Sequence, residues 1–356
     1  MVKKKEENRV LLKTLRRLSP GTPIRDALEN ILGARTGALI VMGWSPRIEA
    51  MMEGGFKIDV DLTPARLYEL AKLDGAIILC SQCKKILFAN AQLNPDPAIP
   101  SQETGIRHRI AERVAKQTDE VVISISQRRS IITVYQGAVS YALRDVSVII
   151  NKANQALQTL EKYRNVLRQT LVSLSALEFE DLASFNDVFL VLRRVEMVLR
   201  VAELIERYIV ELGTEGRLIE MQLEELLSNV EEEALLLVRD YAAGDIDPHK
   251  VLEQLRRDIS DPISDNNALA KMLGHSGSGI LEVAVSPRGY RILDKIPRLP
   301  MPVIENLVES CGTLQGVLKA GEDVLDDVDG IGEARARNIR SGLGRLREQI
   351  FIERHL

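Results

Sequence analysis

Short runs of aliphatic and β-branched residues recur through residues 1–145, and their length and composition predict strands. Between them, Thr22-Pro23 and Thr63-Pro64 each place a capping hydroxyl directly before a proline, which predicts the start of a helix. Strands that alternate with helices favour an α/β domain with a mixed central sheet, which we expect to occupy residues 1–145. The predicted strands are GALIVMG, GAIILC, KILFAN, EVVISIS, SIITVYQ and AVSYAL.

A different pattern follows, because no glycine or proline occurs from Ala138 to Leu212. Apolar residues recur there at spacings of three and four, which predicts long amphipathic helices. A second helical run follows the ELGTEG segment, and residues 244–285 are predicted to form loops around one helix. We therefore expect an all-α spine over residues 146–285, whose apolar faces pack either on each other or on a second subunit. A third domain of short helices is predicted for residues 286–356.

Composition excludes several classes of protein. The chain has 356 residues with 45% hydrophobic and 28% charged residues and a net charge of −4. It contains no run of about eighteen apolar residues, so no membrane span is expected. Three cysteines in so long a chain favour a reducing cytoplasm. Any binding of nucleic acid must depend on local basic clusters, since the whole chain is mildly acidic.

Some familiar signatures of cofactor sites are missing or incomplete. No GxxxxGK[ST] motif occurs, and the glycines of GHSGSGILE have no strand before them, so that segment is interpreted as a loop. Cys80 and Cys83 form a CxxC pair, but the third cysteine, Cys311, is distant and no histidine is near in sequence. A metal or redox site needs more than this spacing supplies. A plain strand end and turn is the competing interpretation.

The first turn of one predicted helix has the wrong sign of charge. The helix expected from Ile106 to Thr118 begins with Arg107, His108 and Arg109, although cations at a helix N-terminus cost about 0.3–1 kcal/mol each. A bound anion such as a triphosphate would make this arrangement favourable, because free N–H groups and guanidinium groups would converge on it. The alternative is a solvated turn whose cations pair with Glu103 and Glu112.

Two further features favour a nucleotide. Asp74 and Gly75 stand between a helix and a strand, where a glycine allows a ligand to approach the backbone closely, although Asp-Gly is also common in plain turns. Ser126, Arg128 and Arg129 stand where one predicted strand turns into the next. Together, one carboxylate and two basic clusters predict a bound polyphosphate beside a group that must be activated.

The stretches that carry these residues resemble the diadenylate cyclase family, and the chain as a whole resembles the DNA integrity scanning branch of that family. The resemblance implies that two ATP molecules are joined into cyclic di-AMP with release of two pyrophosphates. It also implies that two subunits meet face to face and that four cyclase domains form a ring, with two stacked tetramers making a homo-octamer. The matching stretches are DGAIIL, ETGIRHRIAERVAKQT, SISQRRSIITVYQ, NKANQALQTLEKY and SPRGYRILDKIPRLPMP.

The resemblance also assigns roles to individual residues. Asp74 would orient or deprotonate the 3′-hydroxyl together with Mg²⁺ or Mn²⁺, and Arg107, His108 and Arg109 would hold the triphosphate. Asp74, Arg107 and Arg109 are the implied catalytic residues. The implied ATP-binding set comprises Asp74, Gly75, Leu93, Thr104, Gly105, Ile106, Arg107, His108, Arg109, Ile110, Ser126, Arg128 and Arg129.

Ile110 departs from the family pattern, which has a threonine or serine at this position. A hydroxyl there would donate to a phosphate oxygen, and losing a charge-assisted bond costs about 1.5–3 kcal/mol. That corresponds to a rate loss of roughly ten- to a hundredfold. We therefore expect a weakened cyclase. The alternative function is a DNA-structure-binding protein whose impaired cyclase domain only binds nucleotide.

The last domain contains the segment DGIGEARARNIR, which resembles a helix-hairpin-helix. Glycines in such a hairpin let a DNA phosphate approach backbone N–H groups, and nearby arginines bind the backbone without reading sequence. The competing interpretation is a packing turn in a dimerisation domain. The family implies branched, Holliday junction-like DNA as the partner, whose binding restrains the cyclase. The candidate DNA-binding residues are Gly330, Ile331, Gly332, Arg335, Arg337 and Arg340.

Overall fold

The computed structural model describes residues 2–256, 265–276 and 280–354, with side chains from residue 10 onward. The glycines at 277 and 279 of the GHSGSGILE segment lie outside the described residues. The chain divides into two compact units. The first comprises Met1–Asn154 and Glu206–Glu220, and the second comprises Gln155–Ile205 and Met221–Leu356.

An eight-stranded mixed sheet forms the centre of the first unit. Its strand order is β2-β5-β4-β1-β6-β7-β8, and β3 pairs with β5. Only the β1–β4 pair is parallel among the pairs described, so the predicted mixed sheet is confirmed. The strands are β1 Ala38–Met42, β2 Met52–Glu53, β3 Phe56–Asp61, β4 Ala76–Leu79, β5 Lys85–Leu93, β6 Val121–Ser126, β7 Ile131–Gln136 and β8 Val139–Ala142.

Helices cover both faces of this sheet. Every residue of β1 is buried, because its alternate side chains enter different apolar clusters. One cluster joins Ile40 and Met42 to helices α2 and α4, and the other joins Leu39 and Val41 to helices α3 and α5. Burial on both faces explains the continuous hydrophobic run in this strand. The helices of this part of the chain are α1 Val2–Arg17, α2 Pro23–Gly33, α3 Pro46–Met51, α4 Pro64–Leu70 and α5 Ile106–Thr118.

The predicted helix starts at Thr22 and Thr63 are confirmed. Each threonine hydroxyl accepts a hydrogen bond from the backbone N–H three residues later, at 3.3 Å in both helices. Each cap is followed by proline at the first helical position, where its missing N–H costs nothing. A third proline start, Ser45 before Pro46, begins α3 without a capping hydrogen bond to the Ser45 side chain and was not predicted.

The predicted helical region is also confirmed, but its helices begin and end differently from the prediction at two places. The second helical run is interrupted at Asn229, which has a left-handed φ of 66°. The described parts of residues 244–285 contain two α-helices rather than the one predicted, and Asp247 and Asp265 each cap one of them with a carboxylate. The helices are α6 Val146–Glu180, α7 Phe185–Leu212, α8 Arg217–Leu227, α9 Val230–Tyr241, α10 Pro248–Leu255 and α11 Asn266–Met272, with single 3₁₀ turns at Gly213–Gly216 and Ile280–Glu282.

Five helices at the C-terminal end pack around one apolar core in the second unit. Four of them are short, as predicted, but the last has 22 residues. Its length is supported by the buried series Ala336, Ile339, Leu343 and Ile350, which keeps one face of the helix in the core. These helices are α12 Tyr290–Asp294, α13 Met301–Cys311, α14 Leu314–Lys319, α15 Glu322–Asp326 and α16 Glu333–Arg354.

Candidate nucleotide-binding site and C-terminal hairpin

The predicted nucleotide residues belong to segments that meet at one end of the sheet. Strand β1 runs parallel to β4, with Leu39 opposite Ala76, and antiparallel to β6, with Ala38 opposite Ile125. The starts of β1 and β4 and the end of β6 therefore lie side by side. The turn that precedes β4 and the turn that follows β6 are thus neighbours in space although far apart in sequence.

The turn before β4 carries Asp74 and Gly75. Gly75 has a φ of +88°, and an added Cβ would lie 2.9 Å from Ala91 O and from the carbonyl carbon of Asn90. Only glycine fits this backbone without strain. The carboxylate of Asp74 then extends into solvent, with 93% of its side chain exposed.

Helix α5 begins with unsatisfied positive charge. Its N-cap is Gly105, which supplies no side-chain hydrogen bond, and its first turn contains no acidic residue. The first three side chains after Ile106 are Arg107, His108 and Arg109. The backbone N–H groups of a first turn have no partner within the helix and point along the axis. The predicted cationic helix start is therefore present as an uncapped N-terminus.

The two predicted features contact each other directly. Arg107 Nη2 lies 3.1 Å from Asp74 Oδ1. The pKa of Asp74 is lowered, first by the backbone N–H of Gly75 and then by this guanidinium group. Gly37, just before β1, makes room for the contact, because an added Cβ would lie 2.4 Å from Arg107 Nη1. Sequence reasoning missed Gly37, although a glycine directly before a buried strand marks a close approach.

The alternative ion pairs with Glu103 and Glu112 are wrong as far as the described contacts go. Glu103 accepts a hydrogen bond from Tyr135 Oη at 2.8 Å. Glu112 accepts from Lys116 at 2.7 Å and from Ser101 Oγ at 2.5 Å. Among the described contacts, neither carboxylate pairs with Arg107 or Arg109, so Glu103 and Glu112 do not neutralise these two guanidinium groups.

His108 is held by a short chain of hydrogen bonds. Its Nδ1 lies 2.9 Å from Tyr135 Oη, which itself donates to Glu103. Since the hydroxyl hydrogen is used on Glu103, Nδ1 must be the protonated donor and Nε2 is left for a ligand. Burial lowers the pKa of His108, against the opposing effect of Glu103. Burial and the Glu103 bond also raise the pKa of Tyr135, which stays protonated.

The turn between β6 and β7 supplies the second basic cluster. It closes through Ser130 N, which donates to Ser126 O at 2.9 Å, and Arg129 N, which donates to Ser126 Oγ at 3.2 Å. Arg128 and Arg129 are exposed. The charge of Arg129 contributes to lowering the pKa of His108, after burial. Gly37 lies between the two basic clusters, because its added Cβ would lie 2.4 Å from Arg107 Nη1 and 3.3 Å from the carbonyl oxygen of Ile125, next to Ser126.

The remaining predicted residues have different environments. Thr104 is exposed and its carbonyl accepts a bond from Arg109 Nη2 at 3.4 Å, and Ile106 is 76% exposed. Leu93 is only 4% exposed and lies in the apolar cluster under α5. Ile110 is partly buried against the same cluster. Leu93 and Ile110 thus shape the floor beneath the cationic turn.

Metal ligands are sparse in this part of the molecule. The described residues contain no group of three histidine, cysteine or acidic side chains placed to hold an ion. Mg²⁺ commonly binds through one or two carboxylates and completes its shell with water and substrate phosphates. The exposed carboxylate of Asp74 beside the cationic helix start fits that requirement, whereas the Cys80–Cys83 pair has no third ligand among the described residues.

The C-terminal glycine motif forms a tight hairpin between α15 and α16. Gly330 has a φ of +83°, which favours glycine, and Arg335 Nη1 donates to its carbonyl. Ile331, Ala336 and Ile339 are buried in the surrounding core. The exposed side of the hairpin carries Gly332, Arg335, Arg337 and Arg340.

The arginines of this hairpin are only loosely paired. Arg337 lies 3.6 Å from Glu333, and Arg340 lies 3.7 Å from Glu322. Exposed ion pairs at such distances contribute about 0–1 kcal/mol to stability. Each arginine can therefore readily leave its carboxylate and bind another anion.

No helix in the described ranges is long and apolar enough to span a membrane.

Comparison with known proteins places these observations in one family. Residues 25–139 match the model described as DisA bacterial checkpoint controller nucleotide-binding, and residues 143–281 match the DisA bacterial checkpoint controller linker region. The chain is similar to the DNA integrity scanning protein DisA of Carboxydothermus hydrogenoformans, with 58% identity over 97% of this chain and 98% of that protein. The DisA proteins of Symbiobacterium thermophilum and Clostridium botulinum are 56% and 51% identical, over 96% and 98% of this chain and 97% and 99% of theirs.

The matched nucleotide-binding region contains the Asp74 turn, the cationic start of α5 and the β6–β7 turn. Given this correspondence and the similarity along nearly the whole chain, the protein belongs to the DisA family and is a diadenylate cyclase, an enzyme of the nucleotidyltransferase class.

Proposed function

We propose that the chain condenses two ATP molecules into cyclic di-AMP and releases two pyrophosphates. Each 3′-hydroxyl attacks the α-phosphate of the other ATP, so one P–O bond forms and one breaks in each half of the reaction. The contact between Asp74 and Arg107 carries the proposal. This contact joins an exposed carboxylate, which can accept a hydrogen bond from a hydroxyl, to a cationic helix start, which can bind a triphosphate.

The triphosphate is bound by the first turn of α5. Its free N–H groups and the guanidinium groups of Arg107 and Arg109 together favour a multiply charged anion. Ser126, Arg128 and Arg129 approach from the neighbouring turn and hold phosphates from a second side. The same groups offset the charge that develops on the leaving pyrophosphate, which is how positioned cations accelerate phosphoryl transfer.

Asp74 acts on the attacking hydroxyl. Because its pKa is lowered, the carboxylate is ionised at neutral pH and accepts a hydrogen bond from the 3′-hydroxyl, which orients that oxygen. A carboxylate of low pKa is a weak base, so orientation is the larger part of this role. Asp74 is also the residue that would hold Mg²⁺ or Mn²⁺, which supplies charge neutralisation for the phosphates.

One chain provides one such site among its described residues, whereas the reaction consumes two ATP molecules. Two copies must therefore bring their sites face to face, and the proposal includes the homo-octamer of two stacked tetramers expected from the family resemblance. Gly75 and the floor formed by Leu93 allow the nucleotide to approach the backbone on each side.

The test uses ATP with Mg²⁺ or Mn²⁺ and separation of the products by chromatography. Asp74→Asn should abolish cyclic di-AMP formation while ATP binding, measured by calorimetry, is retained. Asp59→Asn is the matched control, because Asp59 is also an exposed aspartate, paired with Lys85 in the same domain. Equal product from wild type and Asp74→Asn would refute the assignment.

A DNA-structure-binding protein whose impaired cyclase domain only binds nucleotide is the second candidate. The observation that favours it is the apolar environment of Ile110, which offers no hydroxyl at the phosphate-binding turn. Under this alternative the wild-type chain binds ATP in the calorimeter but forms no cyclic di-AMP with either metal.

We also propose that residues 286–356 form a helix-hairpin-helix domain that binds branched, Holliday junction-like DNA. The loosely paired arginines and the glycine turn before α16 support contact with the phosphate backbone. Arg337→Ala with Arg340→Ala should weaken junction binding uniformly across sequences and lower the slope of log affinity against log salt by about 1 per lost contact. Arg168 on α6 is another exposed arginine, and Arg168→Ala should leave both the junction affinity and the salt slope unchanged.

A further inference from the structure

The CxxC pair forms the tip of the hairpin between β4 and β5. Cys83 N donates to Cys80 O at 2.8 Å, and Cys80 N donates to Lys85 O at 3.0 Å. The first of these bonds closes a β-turn, whose first and last Cα atoms lie within about 7 Å of each other. That separation overlaps the range of about 4.4–6.8 Å over which two cysteines form a disulfide. The turn therefore brings the backbones of the two cysteines to a separation that a disulfide can bridge.

Cys80 is surrounded by backbone donors. The N–H groups of Lys84 and Lys85 each donate to its Sγ at 3.3 Å. Partial burial raises the pKa of this thiol, but the N–H groups of residues 82–85 outweigh burial and lower the pKa below its usual value. Donors aimed at a sulfur stabilise the thiolate, which is the nucleophilic form of cysteine.

Cys83 has a different environment on the other side of the turn. Arg17 Nη2 lies 2.8 Å from its Sγ, and the same group donates to Ser81 O at 2.7 Å. Cys83 packs partly against the apolar cluster that contains α2, and its burial raises the pKa of its thiol despite the guanidinium. The pair is therefore asymmetric, with one thiol disposed to attack and a second, more protected thiol beside a cation.

We propose that the β4–β5 hairpin is a thiol-reactive modification site, in which Cys80 attacks a peroxide or a low-molecular-weight disulfide and Cys83 resolves the product. With hydrogen peroxide, the Cys80 thiolate takes one oxygen and releases hydroxide, which gives a sulfenic acid. The Cys83 sulfur then attacks Cys80 Sγ, the S–O bond breaks, and the thiol proton and the hydroxyl leave as water. The two cysteines lose two electrons, and the peroxide gains them. A cellular thiol restores the reduced pair by exchange.

A structural role alone does not account for this arrangement. A packing cysteine would be buried among apolar side chains, as expected for the most common use of a free thiol. Cys80 instead is partly exposed and accepts two backbone hydrogen bonds, and Arg17, the last residue of α1, contacts Cys83. Cys311 provides the internal reference, because it is also partly exposed but burial raises the pKa of its thiol.

The first test compares the three thiols in the wild-type full chain. The reduced protein is treated briefly with a limiting alkylating agent, and each cysteine is quantified by mass spectrometry. Cys80 should be alkylated several-fold faster than Cys311, as expected for a stabilised thiolate. Equal rates, or faster labelling of Cys83 than of Cys80, would overturn the proposal.

The second test follows oxidation by equimolar hydrogen peroxide. The wild-type chain should form the Cys80–Cys83 disulfide, and Cys83→Ser should stop at a sulfenic acid on Cys80 that dimedone traps. Arg17→Gln should slow closure of the disulfide several-fold, whereas Arg16→Gln, an exposed neighbour, should not. Absence of the disulfide in the wild type, or dimedone labelling on Cys311 instead of Cys80, would reject the site. ATP binding by each variant confirms that it remains folded.

Discussion

At the scale of single residues, a glycine leaves the room in which Arg107 contacts Asp74. Gly37→Ala would place a Cβ 2.4 Å from Arg107 Nη1, so the guanidinium must leave Asp74. We expect ATP affinity to fall about tenfold, corresponding to the loss of one charge-assisted hydrogen bond. Gly33→Ala at the end of α2 is the matched control, since nothing lies within 4 Å of its added Cβ. Calorimetric titration with ATP measures both, and unchanged affinity in Gly37→Ala would contradict the placement of Arg107.

The protonation state of His108 should make ATP binding depend on pH. Burial keeps its pKa below the usual value, and Nδ1 is committed to Tyr135. In the neutral ring Nε2 is a lone-pair acceptor that repels phosphate, whereas the protonated ring donates from Nε2. Affinity for ATP should therefore rise as pH falls through the pKa of His108, and bound ATP should raise that pKa by linkage.

The measurement for this prediction is ATP affinity across mildly acidic to neutral pH, together with an NMR titration of the ring. His108→Gln should retain the part of the pH dependence that belongs to ATP itself and lose the rest. Identical profiles for the wild type and the variant would show that His108 does not face the phosphates.

Variants at Ile110 distinguish the effect of packing from the effect of a hydroxyl group. Its side chain lies partly buried against the apolar cluster under α5, so shortening it weakens packing, whereas a hydroxyl offers a new donor. Ile110→Thr should raise the cyclase rate by roughly ten- to a hundredfold if the hydroxyl reaches a phosphate oxygen. Ile110→Val removes similar volume without the hydroxyl and should leave the rate near that of the wild type. A rate in Ile110→Thr no higher than in Ile110→Val would refute the argument.

At the scale of elements, a buried ionic network stabilises the second unit. Arg291 is fully buried at the start of α12, where it pairs with buried Glu178 of α6 and donates to Ser175 Oγ at 3.0 Å. The carboxylate of Asp240, at the end of α9, accepts from the N–H groups of Gly289 and Tyr290 at 2.7 Å each. These bonds tie α6 and α9 to the first turn of α12.

Arg291→Met should destabilise this network strongly. It leaves the Glu178 charge buried without its partner, and breaking a buried pair in this way costs about 3–5 kcal/mol. Denaturation by urea, followed by circular dichroism, should show the loss as a lower midpoint. Adding Glu178→Gln to Arg291→Met removes the stranded charge and should recover part of the loss. A double variant no more stable than the single one would contradict this explanation.

The pattern of elements shows how far sequence reasoning reaches. Strands buried on both faces, such as β1 and β4, were predicted because their hydrophobic runs are continuous. Strand β3 was missed because it lies at the edge of the sheet with mostly exposed side chains and pairs only with β5. The break at Asn229 was missed because asparagine in a left-handed conformation carries no glycine or proline signal.

The residues of the candidate site were predicted from the sequence, but the contacts between these residues were not. Sequence located the Asp74 turn and the cationic start of α5, because each breaks a local rule of charge or backbone geometry. It could not locate the contact between Asp74 and Arg107, since these residues are 33 positions apart and meet only because α5 packs on the sheet that contains β4. The sequence suggested that Glu103 pairs with the arginines, whereas Glu103 accepts a hydrogen bond from the buried hydroxyl of Tyr135.

At the scale of the whole molecule, the number of nucleotide sites in each chain determines how many copies the proposed reaction needs. The described part of each chain supplies one Asp74 and one cationic helix start, and the proposed product contains two nucleotides. Under the proposed mechanism, a single chain binds ATP but does not complete the double transfer. Binding and catalysis should accordingly differ in how they depend on protein concentration.

We expect cyclase activity per chain to fall on dilution through the range where sedimentation shows the oligomer dissociating, because facing sites separate as copies part. ATP binding per chain should stay constant over the same range. Mixing provides an independent check at fixed total protein. When Asp74→Asn is added in excess, most wild-type sites face a disabled one, so cyclic di-AMP should decline faster than in proportion to the wild-type fraction, whereas Asp59→Asn should not reduce it. Strict proportionality in the Asp74→Asn mixtures, with constant activity per chain on dilution, would mean that one copy acts alone and that the face-to-face arrangement is wrong.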